Sequence, residues 1–144
     1  MTGNKAFIFD KLGIFFKHTD YQGFLHPYNF FEWMSYTREA YFSQVCSDFH
    51  NILESPIKMM TAKVDAMLYD DGFFGDSIEA KLTITKIKKV SFDVIIRFFN
   101  KMSTKLICET RHTLVFVDSR TNAFTTIPKG LADAIVEYQE QTYI

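Results

Sequence analysis

Only two cysteines occur in the 144 residues. They stand at 46 and 108, one on a predicted helix and one in a predicted strand, and show no metal-ligand spacing, so they read as buried free thiols packing as small hydrophobes. An excess of either charge is also missing. Sixteen basic residues face seventeen acidic ones for a formal net charge of −1, which excludes a global field that recruits nucleic acid or an acidic membrane. No apolar run reaches the ~18 residues of a membrane span, and the N-terminal MTGNKAFIFDK contains no apolar segment of signal-peptide length. A soluble cytoplasmic protein is expected. There is no repeat, low-complexity tract or linker. With 47% hydrophobic residues, residues 1–144 are expected to form a single domain with a sizeable core.

Aromatic residues, in contrast, are plentiful. Sixteen Phe and seven Tyr exceed what a small core needs and imply a second buried surface, such as a subunit interface or a pocket. In chain order, Ala6 to Thr19 reads as a first strand with an irregularity at Gly13. An apolar run from Phe30 to Phe49 then recurs at spacings of three and four through Met34, Thr37, Tyr41 and Val45, one face of a helix that Phe31, Trp33, Tyr36 and Phe42 widen. At ~22 residues this helix is about 33 Å long. Glu54-Ser55-Pro56 breaks the chain. Ile57 to Tyr69 alternates, with Met60, Ala62, Val64, Ala66 and Leu68 on one face and two alanines leaving room for a packed helix. Turns at Asp70–Gly72 and Gly75-Asp76 precede strands marked by Ile78, Ala80, Leu82 and Ile84, by Phe92, Val94, Ile96 and Phe98, and by Leu106 to Asp118. Pro128 opens a short amphipathic helix through Leu131, Ala134, Ile135 and Tyr138. One long helix among five strands, with no crossover helices between the later ones, predicts an α+β fold in which an antiparallel sheet curls round a central helix.

The junction ahead of that helix concentrates the chemistry. Asp20 and Gly23 lie in a loop, Pro27 and Asn29 mark the helix start, and the free N–H groups of a first turn can hold a polarised carbonyl oxygen. A carboxylate just upstream can act on the neighbouring carbon. Thr19-Asp20-x-x-Gly23, Asn29 nine residues after Asp20, Phe31-x-Trp33 and Arg38-Glu39 together resemble the hot-dog-fold acyl-CoA thioesterases. The relevant subfamily contains 4-hydroxybenzoyl-CoA thioesterase, the Tol-Pal-associated thioesterases and the enediyne polyketide thioesterases. Phe74–Glu79 and Leu114–Asp118 also fall where that family has similar runs. Asp20 itself matches the acyl-CoA branch, because the enediyne branch carries Asn there, whereas Asn29, Trp33 and Arg38-Glu39 sit closer to the enediyne branch.

The resemblance implies a hot-dog fold and hydrolysis of an acyl-CoA, aromatic or medium-chain in its acyl group, with Asp20 as nucleophile or general base. Gly23, His26, Tyr28 and Asn29 become the candidate oxyanion and substrate residues. A gap-free match sets Pro27 where the family has the residue whose backbone N–H polarises the carbonyl. Proline has no N–H, so that of Tyr28, or of His26 after a one-residue shift, has to serve. Asp20 in an Asx-type turn serves local hydrogen bonding equally well. Lys88 and Lys89, in a basic hairpin, are candidates for the coenzyme A phosphates, and Ser91 for a thioester or coenzyme A contact. Coenzyme A enters as part of the substrate; no separate cofactor and no metal is expected, since His18, Asp20 and His26 match no tight ligand spacing. Glu32 and Glu39 share a helix face, and Glu39 beside Arg38 reads as a structural ion pair.

Two alternatives remain open at the level of sequence. An acyl carrier protein can replace coenzyme A as carrier. A non-hydrolytic protein, binding acyl-CoA or resembling the hot-dog dehydratases, has only His26-Pro27 in its favour. The resemblance further implies a homodimer, or a tetramer built of two dimers, and open sheet edges suit such pairing. Asp20 of one subunit is then expected to face Thr61, Lys63 or Ser91 of the other.

Overall fold

In the computed structural model, which describes residues 5–140, the chain runs β1 (Phe7–Gly13), α1 (Asn29–Val45), α2 (Phe49–Glu54), β2 (Ile57–Leu68), β3 (Ser77–Thr85), β4 (Ser91–Asn100), β5 (Leu106–Asp118), β6 (Ala123–Phe124) and α3 (Lys129–Gln139). The long strands pair antiparallel in the order β1-β3-β4-β5-β2, and the two-residue β6 adds to β5. Alternation drives the arrangement. Ile78, Ala80, Leu82 and Ile84 of β3, Phe92, Val94, Ile96 and Phe98 of β4, and Leu114 and Phe116 of β5 are all buried, because side chains two apart share a face. That face curls round α1, which is the hot-dog arrangement. Phe30 and Trp33 of α1 lie 5.2 and 6.3 Å, centroid to centroid, from Phe98, and Phe42 lies 6.1 Å from Phe92.

Several boundaries differ from the sequence reading, each for a local reason. The first strand ends at Gly13, its irregularity falls between Phe9 and Leu12, and Phe15 and Phe16 are exposed. The central helix has 17 residues, about 26 Å, because Cys46 adopts an extended conformation (φ −110°, ψ 107°). That break folds Phe49 back to stack on Phe42 with ring centroids 5.2 Å apart, whereas seven further residues of straight helix carry a side chain about 10 Å onward. Trp33 and Phe42 are buried, but Phe31 and Tyr36 are 45% and 48% exposed.

The largest difference is at β2. A register shift between Thr61 and Lys63 sets Met59 and Thr61 opposite Phe116 and Leu114, then Val64, Ala66 and Leu68 opposite His112, Thr110 and Cys108. Met60 therefore falls on the other face from Val64. No helix covers the second half of the strand: residues 60–68 are all exposed, and the edge of β2 away from β5 has no partner strand among the described residues. At the other margin α3 seals the core with Leu131 and Ile135, and buried Gln139 accepts the Ile84 N–H at 2.7 Å. Among the described residues no helix is long and apolar enough to cross a membrane.

Candidate active site

The chain leaves β1 through a short 3-10 turn, Phe16–His18, and then forms a small hairpin. The N–H of His26 donates to His18 O at 2.9 Å, Thr19 pairs with Leu25, and the N–H of Asp20 donates to Phe24 O at 2.9 Å. Asp20 closes the tip. Its Oδ1 accepts the N–H of Gln22 at 2.8 Å and of Phe24 at 3.1 Å, an Asx turn of the kind its sequence neighbours suggest. Both bonds use one oxygen, and Oδ2 has no hydrogen-bond partner among the described residues.

Gly23 completes the turn at φ +87°, and a Cβ there stands 2.9 Å from the Phe73 ring. Backbone bonds from Leu25 N–H to Gly72 O and from Phe74 N–H to Gly23 O lay the hairpin along residues 72–74. Asn29 ties it to the helix. This side chain is buried, and its Nδ2 donates at 2.8 Å to both His18 O and His26 O. His18 locks the base: Nδ1 accepts the Phe15 N–H at 2.9 Å, and the ring stands edge-on to Trp33 at 5.4 Å. Burial first, then the Lys17 charge, lowers its pKa, so the ring is neutral with its proton on Nε2.

At the mouth of α1 the carbonyls of His26, Pro27 and Tyr28 accept the N–H groups of Asn29, Phe30 and Phe31 at 3.1 Å each. His26 has already spent its own N–H on His18. Tyr28 N–H is the backbone donor left without a partner at this junction among the described residues, next to exposed Tyr28 and His26 rings whose centroids are 4.4 Å apart.

The remaining sequence candidates lie elsewhere. Gly13 pairs with Ser77 at one end of β3 and Thr85 with Asp93 at the other, a separation of about 26 Å at ~3.3 Å per residue. The Asp20 hairpin leaves from the first end, while exposed Lys88 and Lys89 and half-buried Ser91 occupy the second. There the Lys88 N–H donates to Ser91 O and Lys89 O accepts the Ile127 N–H. One chain does not bring the two groups together. Glu32 accepts a hydrogen bond from Tyr36. Arg38 makes no ion pair with Glu39; its Nη1 donates instead to Thr61 Oγ1 at 3.3 Å. Among the described residues no three His, Cys, Asp or Glu side chains group as a metal site.

Two features escaped the sequence reading. A cleft of about 620 Å³ opens between α1, α2 and the start of β2, with Phe42, Phe49, Ile57, Met59 and Phe116 in its walls and Arg38 among its polar lining. His112 of β5 is 1% exposed with neither ring nitrogen hydrogen-bonded. Burial, then the Arg38 charge, pushes its pKa down to about 4. The available signal was phase: His112 occupies the inward position of the series Cys108, Thr110, His112, Leu114, Phe116.

Residues 15–135 match a family model described as the thioesterase-like superfamily. None of the curated proteins matches the sequence. Among solved structures, the chain is similar to a 1,4-dihydroxy-2-naphthoyl-CoA thioesterase from Synechocystis, at 17% identity over 92% of this chain and 97% of that one, with a TM-score of 0.82. A Staphylococcus aureus protein solved in complex with CoA superposes with a TM-score of 0.87 at 12% identity, over 100% of this chain and 90% of that one. The dynemicin thioesterase gives 0.85 at 14% identity, over 93% and 97%. At these identities the structural likeness speaks for the fold alone.

Proposed function

The chain belongs to the thioesterase-like superfamily, and we propose that it hydrolyses an acyl-CoA thioester to a free acid and coenzyme A with Asp20 as the working carboxylate. The observation that carries this reading is the division of labour within Asp20. Oδ1 holds the turn, Oδ2 is left for chemistry, and Asn29 fixes the hairpin to the N-terminus of α1. As nucleophile, Asp20 attacks the thioester carbon, expels the coenzyme A thiolate and leaves an acyl anhydride that water then cleaves. As general base, it takes a proton from the water that attacks. In both routes the carbonyl oxygen becomes negative, and the Tyr28 N–H with the positive end of α1 is the donor set available to it.

The acyl group is aromatic or medium-chain, a reading supported by the naphthoyl-CoA thioesterase named above. The structure solved with CoA supports coenzyme A as the carrier, and Lys88, Lys89 and Ser91 are assigned to its phosphates and pantetheine. An acyl carrier protein is the second reading, favoured by the likeness to the dynemicin thioesterase.

The site is completed by a second copy of the chain. A two-fold antiparallel pairing of β2 edges sets the Ile57 end of one strand beside the Leu68 end of the other. The sheet end bearing Lys88 and Lys89 in one subunit then lies on the same side of the dimer as the Asp20 hairpin of the other. This joins groups that one chain keeps at opposite ends.

Thiol release from a panel of acyl-CoAs tests the activity. Asp20→Asn keeps an acceptor oxygen for the turn, so it should fold normally and lose ~100-fold or more in rate, the usual scale for a general acid or base. Full activity in that variant rejects the mechanism. Cleavage of acyl-carrier-protein thioesters alone selects the second reading, and sedimentation of a fully active monomer rejects the shared site.

A further inference from the structure

Arg38 is a half-buried cation with little to hold. Its one hydrogen bond is the long contact to the neutral Thr61 hydroxyl at 3.3 Å, and no carboxylate lies within ion-pair distance among the described residues. A guanidinium has five N–H donors, so most of its capacity is unused. Thr61 lies opposite Leu114 on the inner face of the sheet, and His112 follows two residues along β5 on that same face, about 7 Å away.

His112 is the second, independent observation. Burying both nitrogens of a neutral imidazole without partners forfeits their hydration with nothing in return, and native proteins rarely leave such atoms without a reason. Beyond Arg38 the inner face of β2 is open at Val64, Ala66 and Leu68, and on the other side lies the apolar cleft of about 620 Å³.

We infer that Arg38, backed by His112, forms an oxygen-binding subsite that selects acyl groups carrying an oxygen of their own besides the thioester, with the apolar body of the acyl group in the cleft walled by Phe42, Phe49, Ile57, Met59 and Phe116. This rests on the thioesterase reading above and narrows its substrate class. Charge-assisted bonds from a guanidinium to a carboxylate run at roughly twice the strength of neutral ones, so a terminal carboxylate binds more tightly than a ketone or hydroxyl. His112 is sealed from solvent and does not line the cleft, so it acts through Arg38: its neutral ring can accept an N–H from the guanidinium and hold it toward the ligand oxygen. A plain alkyl chain of equal length fills the cleft but leaves the guanidinium unpartnered, and sites of this kind reject the analogue lacking the polar group.

The experiment compares octanoyl-CoA, 7-hydroxyoctanoyl-CoA and 7-carboxyheptanoyl-CoA as substrates. Calorimetric titration with octanamide and with the monoamide of suberic acid, which differ in the far carboxylate, runs beside it and needs no turnover. We expect kcat/KM and affinity to favour the carboxylate over the alkyl ligand by tenfold or more, with the hydroxyl between them. The ratio should fall to about one in Arg38→Met and be partly restored in Arg38→Lys. His112→Gln, which keeps a donor and an acceptor, should retain more of it than His112→Leu. If no acyl-CoA is cleaved but the suberic monoamide still binds preferentially to octanamide, the thioesterase reading fails and the subsite stands. Equal treatment of all three ligands by the native protein overturns the subsite. So does an Arg38→Met loss that is the same for every substrate, because Arg38 then acts on the thioester they share.

Discussion

Replacing Asn29 tests how the candidate carboxylate is held. Its amide donates at 2.8 Å to both His18 O and His26 O, and the residue is 2% exposed. In Asn29→Ala both bonds disappear, yet neither carbonyl is orphaned: His18 O still accepts the His26 N–H and His26 O the Asn29 N–H. The cost is therefore the sum of two net hydrogen bonds, about 2 kcal/mol, without the desolvation penalty of a stranded group. For a chain of this size that lowers Tm by about 6 °C. Asn29→Asp is the sharper probe. Nearly isosteric, it presents a carboxylate oxygen to two carbonyl oxygens, so at pH 7 it should destabilise more than alanine. Burial beside those carbonyls raises its pKa above the unfolded value of about 3.9. Its deficit should shrink as pH falls toward 4, because the protonated acid regains a donor, and grow as pH rises. Urea unfolding at pH 7 and pH 4.5 reads both effects, and thiol release should show a fall in kcat in each variant as the Asp20 hairpin loosens. An alanine variant within 0.5 kcal/mol of the native protein, or an aspartate variant no worse than alanine at pH 7, refutes this account of the hairpin.

Three further outcomes follow from single contacts. Gly23→Ala combines φ +87° with a Cβ 2.9 Å from the Phe73 ring and should cost roughly 1–2 kcal/mol from the backbone alone; adding Phe73→Leu should relieve the contact and leave the backbone part, and full recovery in a melting curve contradicts that division. His112 has its pKa lowered from 6.5 to about 4, so the unfolded chain takes up a proton that the native one refuses. Stability present above pH 6.5 should drop by up to about 3 kcal/mol as pH falls to 4. His18, lowered by burial and by Lys17, adds to the same slope. His112→Leu should flatten the dependence of the urea midpoint on pH in that window, and an unchanged slope removes His112 as its source. Lys88→Glu with Lys89→Glu should raise KM for acyl-CoA in a salt-sensitive way, exposed phosphate contacts being screened over about 8 Å at physiological salt. An unaltered KM returns the pair to a solvated hairpin.

Much of the fold was legible from periodicity. Strands β3, β4 and β5 alternate because one face of each is buried, and Phe30, Trp33, Thr37 and Tyr41 recur at helical spacing because one face of α1 meets the sheet. These are local consequences of backbone geometry, so the residues carry them openly. The turn at Asp20 and Gly23 was legible for the same reason, since an Asx turn is specified within five residues. Its fixation to the helix by Asn29 was not, because that bond joins His18 to a residue eleven positions away.

The structure decided what depends on neighbours distant in sequence. Alternation continues past Thr61 in β2, yet the register shift there exchanges the faces, and alternation alone carries no record of a bulge. Phe31 and Tyr36 fit the helical pattern as well as Trp33 does, but exposure is set by where the sheet ends. His112 is unremarkable as one polar residue in a strand; only β2, β4 and α1 closing over it make it buried and unpartnered. The loop of Asp20 and the lysines of the β3–β4 turn each read as parts of a site. Their separation at opposite ends of one sheet follows from strand order, which short-range spacing does not contain.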